Sequence, residues 1–185
     1  MLQPEYPITT ARLVLRPFTL SDLDALYGFQ SRPDVTQYLS WEPRNRTETA
    51  AALQRRIATA RLTENGRFLS IAAQRADTGQ LIGDLFLEVV STEHRQGEIG
   101  FVFHPDHHGR GFAGEAAVEL LRLGFERLGL HRIIGRCDAR NTASAALMEG
   151  LGMRSEAHFR ENERLKGNWT DELVFAILEH EWKRR

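Results

Sequence analysis

Residues 98–116 read EIGFVFHPDHHGRGFAGEA, an apolar strand-like run that breaks at His104-Pro105 and restarts as a glycine-rich turn. Gly109, Gly111 and Gly114 spell G-x-G-x-x-G, and three histidines, His104, His107 and His108, crowd the same turn. The stretch admits three readings: a dinucleotide turn, a metal loop, or a cradle for another phosphate-bearing ligand. The choice among them decides the fold.

A dinucleotide turn places its first glycine directly at the end of a strand. Here Pro105, Asp106, His107 and His108 intervene. Asp138 does close the next strand about where a ribose-binding acid would stand. The preceding segments, however, form a helix-free meander: FLSIAAQR (68–75), the turn ADTGQ, LIGDLFLEVV (81–90) and GEIGFVF (97–103). A doubly wound sheet needs alternating strands and helices instead. The metal reading fails for another reason. The histidines have helical i, i+3, i+4 spacing, but Pro105 and Gly109 interrupt a helix, and no cysteine completes a soft ligand set. No metal is expected. What remains is a pair of glycines opening the helix AGEAAVELLRLGFERLG (113–129), whose free N–H groups suit a pyrophosphate. Gly109 and Gly111 let the backbone approach the phosphates, and Arg110 adds charge at the rim.

Outward from this turn, ARLVLRPF (11–18) alternates as a half-buried strand, and SDLDALYGFQ (21–30) reads as a helix capped by Ser21. TETAAALQRRIATARL (47–62) is a second amphipathic helix. After the glycine turn and its helix come a strand HRIIGRCD (131–138), a short helix NTASAALMEGLG (141–152) and a last strand LVFAIL (173–178). With 185 residues this is one α+β domain, 1–185, with its core at about 9–178.

Composition excludes several classes. A hydrophobic fraction of 42% with 26% charged residues fits a soluble globular chain, and no apolar run nears the roughly 20 residues of a membrane span. The first ten residues lack the basic and apolar regions of a secretory signal. The single cysteine, Cys137, rules out an intramolecular disulfide, fits a reducing cytoplasm and reads as a small buried side chain. A net charge of −1 argues against a nucleic-acid surface. Neither a nucleic acid nor a membrane is an expected partner.

HHGRGFAGEA (107–116) resembles the acyl-CoA loop of the GCN5-related N-acetyltransferase (GNAT) superfamily, Q/R-x-x-G-x-G/A. Gly111 and Ala113 fill its fourth and sixth places, and His108 departs from the pattern in the first. Three further stretches resemble the RimJ/RimL-like branch, which acetylates the N-termini of ribosomal proteins. TARLVLRPFTLSDLDAL (10–26) is similar to its opening strand and helix, and residues 98–116 to its fourth strand and loop. NTASAALMEGLGM (141–153) is similar to its N-x-x-S segment. The resemblance implies a twisted mixed sheet of about seven strands flanked by helices and splayed between the fourth and fifth strands. Acetyl-CoA would lie in that opening. Its pantetheine arm would pair with the backbone of Phe101, Val102 and Phe103. Its pyrophosphate would rest on His108, Gly109, Arg110, Gly111, Phe112, Ala113 and Gly114, with Asn141 also on the cofactor side.

The implied reaction is direct acetyl transfer to a primary amine, with a protein N-terminal α-amine as the acceptor. By spacing, Glu163 matches the branch's base and Glu98 is a second candidate. Ser144 matches the group that protonates the leaving thiolate, because Met148 stands where other branches carry a tyrosine. Trp41 and Trp169 are candidate walls of the acceptor pocket, and a homodimer is the implied assembly. Three alternatives remain open: a non-catalytic acyl-CoA sensor, a nicotinamide-dependent oxidoreductase, and acetylation of a small amine or antibiotic.

Overall fold

In the computed structural model, which describes residues 2–63 and 66–184, the meander read from the sequence is antiparallel throughout. β1 (Ile8–Thr9) and β2 (Leu13–Arg16) lead to β3 (Phe68–Arg75), β4 (Leu81–Ser91) and β5 (Gln96–Phe103), each paired with its predecessor. β6 (Arg132–Asp138) is the exception and runs parallel to β5. Parallel neighbours need a crossover, and α4 (Phe112–Arg122), extended by a π turn at Leu123–Arg127, supplies it. The sheet is finished by β7 (Arg154–Leu165) and β8 (Asn168–Leu178), in the order β1-β2-β3-β4-β5-β6-β8-β7. With one parallel pair in eight strands, the sheet is mixed and not doubly wound.

Side-chain alternation sends the sheet's residues to two cores. Leu13, Leu15, Leu69, Ile71, Leu85, Leu87 and Ile99 join α4 through Ala116, Ala117, Leu120 and Leu121. On the other face, Ala72, Leu81 and Val102 meet α1 (Leu23–Gln30) and α3 (Arg46–Ala58) through Leu26, Phe29 and Leu53. α2 (Pro33–Thr36) and the segment after it lie beside α1, and α5 (Thr142–Gly150) follows β6.

Three local outcomes differ from the sequence pattern. The first helix is entered through a 3₁₀ turn, Leu20–Asp22, with Thr19 and not Ser21 at its cap. The cause is Asp22, whose carboxylate accepts from the Thr19 backbone N at 2.7 Å and is gripped by the Arg16 guanidinium. β7 is announced by no alternation, because Leu165 is its single fully buried residue. β1 is two residues long, too short to carry a period.

The functional consequence lies between β5 and β6. They pair across Gln96↔Arg132, Gly97↔Ile133 and Glu98↔Ile134, then part. From Ile99 to Phe103, β5 keeps its β4 ladder but has no strand partner on the β6 side.

Candidate active site

A cleft of about 1100 Å³ opens where the two strands diverge. Its walls come from β5, the glycine turn, β6, α5, α3 and the segment after α2. On one side it reaches His108, Gly109, Ala113, Asn141, Ser144 and Leu147; on the other it reaches Asp34, Tyr38, Trp41, Arg56, Phe68 and Asp84.

The glycine turn is shaped for an anion. Gly109 and Gly111 adopt φ of +70° and +79°, a left-handed backbone that side-chain-bearing residues rarely take. Gly111 is the N-cap of α4 and has no side chain to occupy the free N–H groups of the first helical turn. A Cβ at Gly109 or Gly114 would meet no protein atom, so the turn has an open side. Together with the unpaired β5 edge, this set fits the phosphates and extended amide arm of a coenzyme A thioester.

The histidine side chains make local contacts within the turn. His108 Nε2 lies 2.9 Å from the Phe103 carbonyl and ties the turn to the end of β5. His104 Nδ1 accepts from the Asp106 backbone N, and His107 is buried edge-on against Phe112 and His104. Among the described residues, no three His, Cys, Asp or Glu side chains are arranged to hold a metal. The Asp138 carboxylate is taken by Arg140, through its backbone N and guanidinium, which removes the ribose partner of the dinucleotide reading.

Asn141 caps α5, its side chain accepting from the Ser144 backbone N at 3.1 Å. That bond fixes the first turn of α5 at the cleft, and Ser144 lines it. Met148, one turn on, is buried against Gly135. Cys137 also lines the cleft, and burial pushes its thiol up to about 11, with Asp138 and Glu172 adding to the shift.

The two candidate bases are placed differently. Glu98 lines the cleft at the last rung before β5 and β6 part. Burial raises its pKa; Glu88, opposite on β4, and Glu172 push the same way, while Arg136 at 3.4 Å opposes them. Glu163 is exposed on β7, paired with Thr170, and is not among the residues lining the cleft. Trp169 shares that hairpin and is 62% exposed, whereas Trp41 lines the cleft with the Arg44 guanidinium stacked 4.0 Å over its ring. The hairpin tip nevertheless reaches the cleft's entrance: Lys166 Nζ donates to the Thr36 carbonyl at 2.8 Å.

Pattern reading missed the floor of the acceptor side. Asp84 is buried there, bound by Arg56 through Nε at 2.8 Å and Nη2 at 2.5 Å, and by the buried Gln30 at 3.2 Å. A charged residue inside the apolar run LIGDLFLEVV was the available signal. Buried carboxylates of this kind are held by partners, and the partners here are remote in sequence.

A glycine turn with free helix N–H groups and an unpaired strand edge, beside a carboxylate-bearing cleft, fit a coenzyme A-dependent acyltransferase. Residues 12–154 match the family model described as Acetyltransferase (GNAT) domain, and the chain belongs to that family. It is 33% identical over 175 residues to the uncharacterized N-acetyltransferase YnaD of Bacillus subtilis, covering 95% of this chain and 98% of that one. It is 25% identical to the spermidine N(1)-acetyltransferase of Vibrio cholerae over 95% of this chain and 98% of that one. Among solved structures, a GNAT-family acetyltransferase from Bacillus anthracis superposes with a TM-score of 0.84 at 31% identity, over 94% of this chain and 98% of that one. The protein is therefore an acetyl-CoA-dependent N-acetyltransferase acting on an amine. The described residues include no helix long and apolar enough to cross a membrane.

Proposed function

We propose that this enzyme acetylates a protein N-terminal α-amine by direct transfer from acetyl-CoA, as a member of the RimJ/RimL-like branch. The observation that carries the reading is the position of Glu98, a half-buried carboxylate in the cleft at the point where β5 loses its strand partner. In this reading the pantetheine arm pairs along Phe101 and Val102, the Phe103 carbonyl being engaged by His108. The pyrophosphate rests on His108 to Gly114, with Asn141 beside it.

An α-amine has a pKa of about 8, so a raised carboxylate suffices to take its proton, directly or through one water. The amine nitrogen bonds to the acetyl carbon, and the developing oxyanion accepts from a β5 backbone N–H. The carbon–sulfur bond breaks, and the Ser144 hydroxyl gives its proton to the departing sulfur. Placement in the cleft supports Glu98 over Glu163 as the base. Glu163, with Trp169, then belongs to the hairpin at the entrance, where the polypeptide behind the amine would pass. Cys137 is a protonated thiol near neutral pH, which supports transfer without an acyl-cysteine.

The cleft's charges favour a single amine over a polyamine. Asp34, Asp84 and Glu98 each have an arginine within ion-pair distance, namely Arg32, Arg56 and Arg136. A second ammonium would have to displace one of them. The same reading makes the protein cytoplasmic, from its single cysteine, and a homodimer, which light scattering of the purified chain tests. Thiol release with acetyl-CoA and N-terminally free peptides, against the same peptides with a blocked N-terminus and free lysines, tests the function. Turnover of the free peptides alone is expected. Acetyl-CoA binding with no turnover of any amine would make the chain a sensor.

A further inference from the structure

Along the cleft face of β4 and β5, three cross-strand rungs follow one another: Glu88 with Glu98, Phe86 with Gly100, and Asp84 with Val102. Alternation puts all six on the face covered by α1 and α3, opposite the core that α4 fills. In the middle rung a Cβ at Gly100 would overlap the Phe86 ring, so that ring occupies the space over the β5 backbone where a side chain is missing, as the Phe103 ring does at Gly83 in the same ladder. Phe68 of β3 continues the surface, its ring centroid 5.8 Å from that of Phe86, and it is 43% exposed although it borders a cleft. The result is an aromatic shelf about 7 Å along the strands from Glu98 on one side and from Asp84 on the other, two residues at about 3.3 Å each. Exposed aromatic surface in a concave site marks a place for an apolar group.

At the shelf's ends Glu98 is paired with Arg136 and Asp84 with Arg56, and Glu88 stands across the strand from Glu98. Beside Phe86 on the same face, the Ser70 hydroxyl is already engaged by Thr59 at 2.8 Å, and Gly100 leaves the room that the Phe86 ring fills. We propose that Phe86, supported on Gly100 and extended by Phe68, is the specificity shelf of the acceptor site and takes a flat or branched apolar side group of the acceptor. This rests on the α-amine reading above: with the amine at Glu98, the side chain of the same residue begins two bonds from the nitrogen and reaches the ring. The substrate class is thus an α-amine on an apolar first residue, such as phenylalanine or leucine.

The test uses the purified full chain and amino-acid amides, whose α-amines are of similar basicity. Thiol release is followed with phenylalaninamide, leucinamide, alaninamide, serinamide and lysinamide. Apolar contacts discriminate by about 10- to 200-fold, so kcat/KM for phenylalaninamide and leucinamide is expected at least tenfold above alaninamide. Phe86→Ala should bring that ratio to within about threefold of unity. Gly100→Ala, which lifts the ring into the cleft, should lower it, and the exposed Phe68→Ala should lower it without risk to folding. The ratio is independent of the folded fraction. Equal turnover of all five amides, a preference for lysinamide, or a ratio unmoved in both phenylalanine variants overturns the shelf. Turnover of the apolar amides but of no peptide supports the shelf and removes the protein N-terminus as acceptor. Acetylation of spermidine and ε-amines with no α-amine turned over removes both.

Discussion

Arg12 and Glu115, 103 residues apart, are joined twice: the Arg12 backbone N donates to Oε1 at 2.7 Å and its Nε donates to Oε2 at 2.7 Å. The same guanidinium donates to the Arg110 carbonyl at 2.8 Å and covers the Phe112 ring, so it holds both sides of Gly111. Lysine keeps the charge but loses the fork. Arg12→Lys is therefore expected to weaken CoA binding several-fold with kcat at saturation nearly unchanged, measured by calorimetry and steady-state kinetics. Burial disfavours the Glu115 carboxylate, but bonds from Thr10 and Arg12 outweigh it and hold its pKa below the ordinary value. Its contribution is present above about pH 4.3 and is lost as pH falls through the lower folded value. Glu115→Gln should flatten that part of the acid-unfolding profile.

Glu98 gives the opposite sign. Its pKa is raised, chiefly by burial, so the active carboxylate is lost as pH falls through a value above the usual glutamate range. The acidic limb of kcat/KM should sit there. Removing the opposing cation in Arg136→Ala should move the limb to still higher pH. Glu98→Gln should cost about 10²- to 10⁴-fold and abolish the limb. Should Glu163→Gln carry that loss while Glu98→Gln behaves as wild type, the assignment is reversed.

Ser144→Ala keeps the backbone N–H that Asn141 accepts, so the α5 cap survives. Lower kcat with unchanged acetyl-CoA affinity is expected, because the lost interaction belongs to the transition state. Wild-type turnover in this variant would hand the proton to solvent or to Tyr38, another cleft hydroxyl.

Gly111→Val forces a β-branched residue into φ +79° and brings its Cβ to 3.4 Å from Arg12 Nη2. CoA affinity should fall tenfold or more while circular dichroism stays native. Unchanged affinity in a folded variant counts against the cradle.

Cys137→Ala should retain kcat/KM within about threefold, since a thiol pushed up to about 11 is not a nucleophile near neutral pH. Mixing the wild type with acetyl-CoA alone should give no stoichiometric burst of free thiol. A burst that Cys137→Ala abolishes would establish an acyl-enzyme instead.

Much of this was legible in the chain because local physics writes it there. The alternation of ARLVLRPF, the helix-free runs FLSIAAQR, LIGDLFLEVV and GEIGFVF with their turns, and the glycines before α4 depend on residues within a turn or a strand of one another. They determine the meander, the helix crossover and the glycine turn that opens α4. The folded chain decided the rest. β7 carries no period because eleven of its twelve residues escape full burial, and burial contrast is the only source of alternation. Which carboxylate lines the cleft depends on where β5 and β6 part, a property of two strands separated by a helix. Asp84 is held by Gln30, 54 residues earlier, and Arg56, 28 residues earlier; Glu115 by Thr10 and Arg12. Such bonds form when the packed cores bring distant segments together, and no short-range pattern encodes them.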